Sequence, residues 1–144
     1  MHVAFKRIYN RIDYGGLVTS ESRGVVAPSP DLLYSGLRYD VSERPLKIDA
    51  IIPQDTYWSM SLFNSRTDNY FSLNDVQAKS KKLSIVVVSK NNRNAVSDNK
   101  YDKIIEADSD KGIIIFRILI DNLDSKDRVS ELQKIQRQTT CSLL

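Results

Sequence analysis

What this chain has little of excludes a good deal. A single cysteine, Cys141, leaves no partner for an intrachain disulfide. A single histidine, His2, leaves neither a histidine-cluster metal site nor a Ser-His-Asp triad. Glycine is scarce: Gly15, Gly16, Gly24, Gly36 and Gly112 fit neither a G-x-G-x-x-G turn nor a P-loop. No apolar run reaches the roughly 18 residues that a bilayer span needs. The longest, Gly112 to Ile120, is broken by Arg117. Met1 to Tyr14 carries Lys6, Arg7 and Arg11, so it lacks the uninterrupted apolar stretch of a signal peptide. An excess of one charge is also missing. The 21 Lys and Arg against 18 Asp and Glu leave +3, far from a nucleic-acid footprint. As given, the chain reads as soluble, with no cofactor, no metal and no nucleic-acid partner.

What remains is enough for one domain over residues 1–144. Hydrophobic residues make up 41% and charged residues 27%, so a core can be buried. Val3, Phe5, Ile8 and Ile12 lie near a helical stripe that Gly15-Gly16 would stop, which predicts a short N-terminal helix followed by a loop within 1–24. Pro28 and Pro30 then straighten the chain. From Leu32 the period becomes two. Leu33, Leu37, Tyr39 and Val41 share one parity, and Leu46, Ile48, Ala50 and Ile52 alternate with Lys47 and Asp49. Trp58, Met60 and Leu62 alternate with Ser59 and Ser61. Further strands are expected at Tyr70–Leu73, Leu83–Val88, Lys103–Ala107 and Ile113–Ile120. Short strands at roughly ten-residue spacing point to an antiparallel sandwich or barrel over 25–120. Val129, Leu132 and Ile135 then make one narrow apolar stripe, an amphipathic helix over 124–139 capped by Asp124 or Ser125.

The run Val25-Val26-Ala27-Pro28-Ser29-Pro30-Asp31-Leu32-Leu33-Tyr34-Ser35, with Tyr39-Asp40-Val41-Ser42 and Pro45-Leu46, resembles the domain of unknown function 1254 family. Tyr57-Trp58-Ser59-Met60-Ser61-Leu62-Phe63-Asn64, Thr67-Asp68-Asn69-Tyr70-Phe71, Leu73-Asn74-Asp75 and Gly112 to Arg117 continue the likeness in order. The resemblance implies a mostly antiparallel β-sandwich of jelly-roll type. It also implies a bacterial protein of the cell envelope, on the periplasmic side of the inner membrane. Small members of the family usually begin with a membrane segment, and this chain starts instead at the amphipathic stretch. Either the anchor was removed or this member lacks one, and attachment would come only through a segment absent from this chain. No catalytic residue is carried over, because the family has no established activity.

Candidate site residues fall into three groups, each with a structural alternative. Asp31, Tyr34, Arg38 and Asp40 could hydrogen-bond a polar ligand, or Asp31 could cap a turn while Arg38 and Asp40 face water. The loop Asn64-Ser65-Arg66-Thr67-Asp68-Asn69-Tyr70 could contact a sugar or peptide, or its Asx residues could stabilise their own turn. Arg117 lies inside the most hydrophobic segment, so it must either be paired or lay its stem on apolar surface while its head reaches water. If buried, it is expected to pair with an acidic side chain such as Asp31, Asp40 or Asp68. Trp58 has core parity, which leaves Tyr57 as the exposed aromatic. Lys79, Lys81, Lys82, Lys90, Arg93 and Lys100 face only Asp98, a local +5 (six minus one) that reads as a solvated loop pair or an anion-attracting patch.

Together these place a ligand- or partner-binding surface on Asp31, Tyr34, Asp40, Tyr57, Asn64, Arg66, Asp68, Asn69 and Arg117. The leading reading is a noncatalytic module. The alternatives are a carboxylate-dependent hydrolase or isomerase with Asp31 or Asp68 as base, and a structural assembly unit.

Overall fold

Alternating side chains organise most of the chain into strands. In the computed structural model, which describes residues 8–15 and 31–144, the strands are β1 (Leu32–Asp40), β2 (Leu46–Ile51), β3 (Trp58–Phe63) and β4 (Asn69–Asn74), followed by β5 (Lys82–Val88), β6 (Lys103–Glu106), β7 (Lys111–Leu119) and β8 (Thr140–Leu143). Helix α1 (Asp75–Ala78) follows β4, and α2 (Lys126–Gln138) lies between β7 and β8. Sheet A has the order β1-β7-β3-β4 and sheet B the order β6-β5-β2-β8. The protein is mainly β, as expected, and α2 lies where the apolar stripe placed it. No helix among the described residues is long and apolar enough to cross a membrane.

One parity of each strand builds the core. Leu37 and Tyr39 of β1, Trp58, Met60 and Leu62 of β3, and Ile114, Phe116 and Ile118 of β7 join Leu46, Ile48, Ala50, Leu83, Ile85 and Val87 of sheet B in one buried cluster. Leu132 of α2 belongs to it, with Val129 and Ile135 packed alongside. Each large side chain so removed from water contributes about 1.5–3 kcal/mol. Strand β5 is apolar on both faces because the following loop covers it. Val86 and Val88 pack there with Val96, Tyr101 and Ile104.

Three expectations change. Sheet A is antiparallel throughout, but β5 and β6 run parallel, so sheet B is mixed. A parallel pair needs a crossover of a dozen or more residues, and the connection between Val88 and Lys103 supplies it. Neither sheet closes, and these strand orders do not by themselves make the jelly-roll winding the resemblance implies. The N-terminal helix is also corrected where it is described. Residues 8–15 are not helical, while the rest of that stripe, the following loop and the Val25–Pro30 run lie outside the described residues.

The physical reason is an edge to be covered. The Asp13 N–H donates to Gly36 O at 2.8 Å, Gly36 N–H donates back at 3.1 Å, and Asn10 N–H donates to Arg38 O at 2.7 Å. The Asn10 side chain takes both backbone groups of Asp40, accepting its N–H at 3.0 Å and donating to its carbonyl at 3.1 Å. This arm also reaches sheet B, where the Cys141 thiol donates to Asn10 O at 3.4 Å. The free side of β1 therefore meets a built partner rather than a stray strand.

Candidate functional site

The parity that leaves the core faces outward from sheet A. Register places Tyr34 of β1 beside Arg117 of β7, Arg117 beside Ser59 of β3, and Ser59 beside Asn74 of β4. The neighbouring row runs Gly36, Ile115, Ser61, Ser72. Alternation in β3 decides this arrangement: the large residues Trp58, Met60 and Leu62 go in, so the small Ser59 and Ser61 must go out. Tyr34, Phe63 and Ile115 form a separate buried cluster on the same face.

Arg117 is half-buried, and no acidic side chain among the described residues lies within ion-pair distance of it. The expected pairing with Asp31, Asp40 or Asp68 is therefore corrected. Asp31 has the core-facing parity and stands three residues from Tyr34, roughly 10 Å along the strand. Asp40 lies at the other end of β1, and Asp68 lies beyond β3. Arg117 instead points Nη1 at Ser61 Oγ, 3.5 Å away. Ser61 and Ser72 share a hydrogen bond at 3.3 Å, and the Ser72 hydroxyl donates to Asn69 Oδ1 at 3.1 Å. Ser59 beside them is 4% exposed, and its hydroxyl has no hydrogen-bond partner among the described residues.

The other residues proposed for one surface divide between the two ends of sheet A. Asp31 and Tyr57 lie at the end where β1 begins. The Asp31 carbonyl accepts from Ile120 N–H at 2.8 Å, and the Tyr57 carbonyl from Leu119 N–H at 2.9 Å. Tyr57 is exposed and Trp58 is buried, as their parities required. Asp40, Asn64, Arg66 and Asp68 lie at the opposite end. Asn64 Oδ1 accepts from Arg66 N–H at 2.9 Å and Asp68 N–H at 3.0 Å, and its Nδ2 donates to Asp108 at 2.8 Å. Burial alone would raise the Asp40 carboxyl, but the Ser42 hydroxyl and N–H donate to it and, with Lys111 nearby, hold it below the usual carboxylate range. So hydrogen bonds join Asn69 and Arg117 through Ser61 and Ser72, and Tyr34 stands beside Arg117 by register alone. The structure leaves Asp31, Asp40, Tyr57, Asn64, Arg66 and Asp68 outside that network.

Three arrangements escaped the sequence reading. The serine rows could have been found, because Ser59 and Ser61 share the outward parity. Tyr39 and Tyr70 could not, since their 2.7 Å hydroxyl contact joins residues from β1 and β4. Burial raises the pKa of both, and the shared hydrogen bond raises Tyr70 further. Arg128 binds Asp121 at 2.7 and 3.0 Å, Glu131 at 2.8 Å and Asp55 at 3.0 Å, tying the start of α2 to two loops. In the basic segment, Arg93 pairs with Asp98, and Lys100 lies 5.9 Å over the Tyr101 ring. No group of three or more His, Cys, Asp or Glu among the described residues could hold a metal ion.

The family model described as "Protein of unknown function (DUF1254)" matches residues 9–142. Two solved structures share the fold. The VPA0106 protein from Vibrio parahaemolyticus superposes with a TM-score of 0.78 at 13% identity, covering 100% of this chain and 32% of its own. A putative uncharacterized protein from Burkholderia cenocepacia superposes with a TM-score of 0.58 at 15% identity, covering 81% of this chain and 33% of its own. The chain thus spans about a third of the length of these structures. No curated protein matches it.

Proposed function

We propose a noncatalytic binding role for this chain, which belongs to the DUF1254 family of proteins of unknown function. The module binds an acidic group of a partner or polar ligand on the outer face of sheet A, with Arg117 as its anchor. One observation carries the reading. Among the described residues, a half-buried guanidinium makes a single long hydrogen bond, beside a buried hydroxyl that makes none. Buried polar groups are nearly always satisfied, and leaving one unpaired costs about 1–3 kcal/mol. The half-buried arginine fork complements a carboxylate that arrives from outside. A hydrolase or isomerase has less support, since Asp68 lies beyond the far end of β3 and Asp31 has the opposite parity. A place in the bacterial cell envelope belongs to the same proposal, supported by the family resemblance.

The test is an NMR titration of the chain with N-acetyl-aspartate amide. Expected are shifts at the Arg117 Nε–H and the Ser59 and Ser61 amides, all lost in Arg117→Gln. Because the guanidinium lacks an ionic partner among the described residues, that variant should keep its stability to within about 1 kcal/mol. Shifts that survive Arg117→Gln, or that spread evenly over the surface, would overturn the proposal.

A further inference from the structure

A second feature of the molecule lies on the free side of β1, away from the Arg117 serines. A cavity of about 360 Å³ opens between the N-terminal arm, the first residues of β1 and the last turns of α2. That volume falls in the range of small-molecule sites, roughly 300–1,000 Å³. Leu32, Leu33 and the tyrosines Tyr14 and Tyr34 make its apolar side. Gln133, Gln136 and Arg137 make its polar side. The last three occur at i, i+3 and i+4 of α2, so one helical face delivers them together.

Each wall is held in place. The Tyr14 hydroxyl donates to Thr139 O at 2.6 Å, which fixes its ring against the end of α2. Gln136 is buried, and its Nε2 donates to Tyr34 O at 3.0 Å. That bond orients the amide and ties α2 to the backbone of β1. The Arg137 guanidinium carbon lies 5.5 Å over the Tyr14 ring. Arg137 has no acidic partner among the described residues. A guanidinium resting on an aromatic ring keeps its in-plane N–H fork free, and that fork matches the two oxygens of a carboxylate.

We propose that this cavity binds a small organic carboxylate with an apolar body. The acid group meets the Arg137 fork and the body lies against Leu32, Leu33 and the two tyrosines. A carboxylate near a helix C-terminus meets the negative end of the helix dipole, which amounts to about half a charge. Here Tyr14 already donates to the Thr139 carbonyl, Thr139 N–H donates to Gln136 O at 3.4 Å, and Arg137 supplies a full positive charge. One guanidinium also matches a monoanion better than a phosphate dianion. The inference does not depend on the Arg117 reading.

The probes are benzoate, benzylamine and benzyl alcohol, which share a ring and differ in charge, titrated into the chain by calorimetry and NMR. Benzoate should bind saturably, and the amine and alcohol at least about tenfold more weakly. Arg137→Gln should weaken benzoate by about tenfold or more, and Arg137→Lys should restore only part, since an ammonium lacks the fork. Arg117→Gln should leave benzoate binding unchanged, which separates this site from the face of sheet A. Equal binding of benzylamine, an unaffected Arg137→Gln, or no saturable benzoate binding up to about 10 mM would overturn the proposal.

Discussion

Replacing Gly112 with alanine tests how closely the elements meet at the start of β7. A Cβ added there would sit 2.2 Å from the Phe63 carbonyl oxygen and 2.5 and 2.6 Å from the hydroxyl and Cζ of Tyr39. Neither neighbour can retreat easily. Phe63 O is backbone beside the register shift between Leu62 and Phe63, and it accepts from the Tyr39 hydroxyl at 3.4 Å. The Tyr39 ring is fully buried and its hydroxyl is held by Tyr70. Overpacking a core commonly costs about 1–3 kcal/mol, and a clash with main chain belongs at the upper end, about 3 kcal/mol. At this size each kcal/mol moves Tm by roughly 2–4 °C, so a fall of roughly 6–12 °C is expected. Trp58, the sole tryptophan and a buried one, reports unfolding by its fluorescence. A Gly112→Ala/Tyr39→Leu double variant removes the ring contacts and leaves the Phe63 oxygen. It should therefore show no more than partial relief of the strain. A Gly112→Ala protein melting within about 2 °C of the parent would refute the packing argument.

Two further predictions concern pH. Burial raises the pKa of Tyr39 and Tyr70, whereas unfolded tyrosines ionise near pH 10. Their contribution is complete below that pH and is lost as the pH climbs toward the folded values, because the unfolded chain releases protons first. Tyr70→Phe should flatten the alkaline fall in stability, followed by tyrosinate absorbance and urea midpoints. Identical alkaline slopes would refute the assignment. At the acid end, hydrogen bonds from Arg128 lower the Asp121 pKa. That contribution is present above the ordinary aspartate value of about 3.9 and lost as the pH falls through the folded one. Arg128→Ala should melt lower than the parent at neutral pH, with the gap narrowing in acid. A gap unchanged by acid would count against the ion network.

The strands were readable because their cause is local. Trp58, Met60 and Leu62 alternate with serines, and the structure turns the one set in and the other out. The same alternation identifies Ser59, Ser61 and Arg117 as outward, yet it does not say which strands lie side by side. Arg117 illustrates the gap. An arginine among isoleucines requires compensation, and three aspartates in the first half of the strand region were reasonable partners by charge. Register instead put serines beside it and sent Asp40 and Asp68 toward the far end. The Asn64 loop followed its composition, with its Asx side chain bound to the backbone of Arg66 and Asp68. The arm at residues 8–15 did not, because Ile8 and Ile12 sit at helical spacing while Asn10 and Asp13 are drawn to the open side of β1. Strand β8, short and only partly apolar, carries too little pattern to be seen before β2 offers it an edge.

The sequence by itself determined where β1 to β7 extend, where the chain coils after Ser125, and which of their side chains leave water, since periodicity and capping act between near neighbours. Only the tertiary structure decided that β5 and β6 run parallel, that the arm covers β1, that Tyr39 meets Tyr70, and that Arg117 and Arg137 face no carboxylate among the described residues. These depend on strand order and register. Hydrogen bonds between distant backbone segments set both, and no local run of residues encodes them.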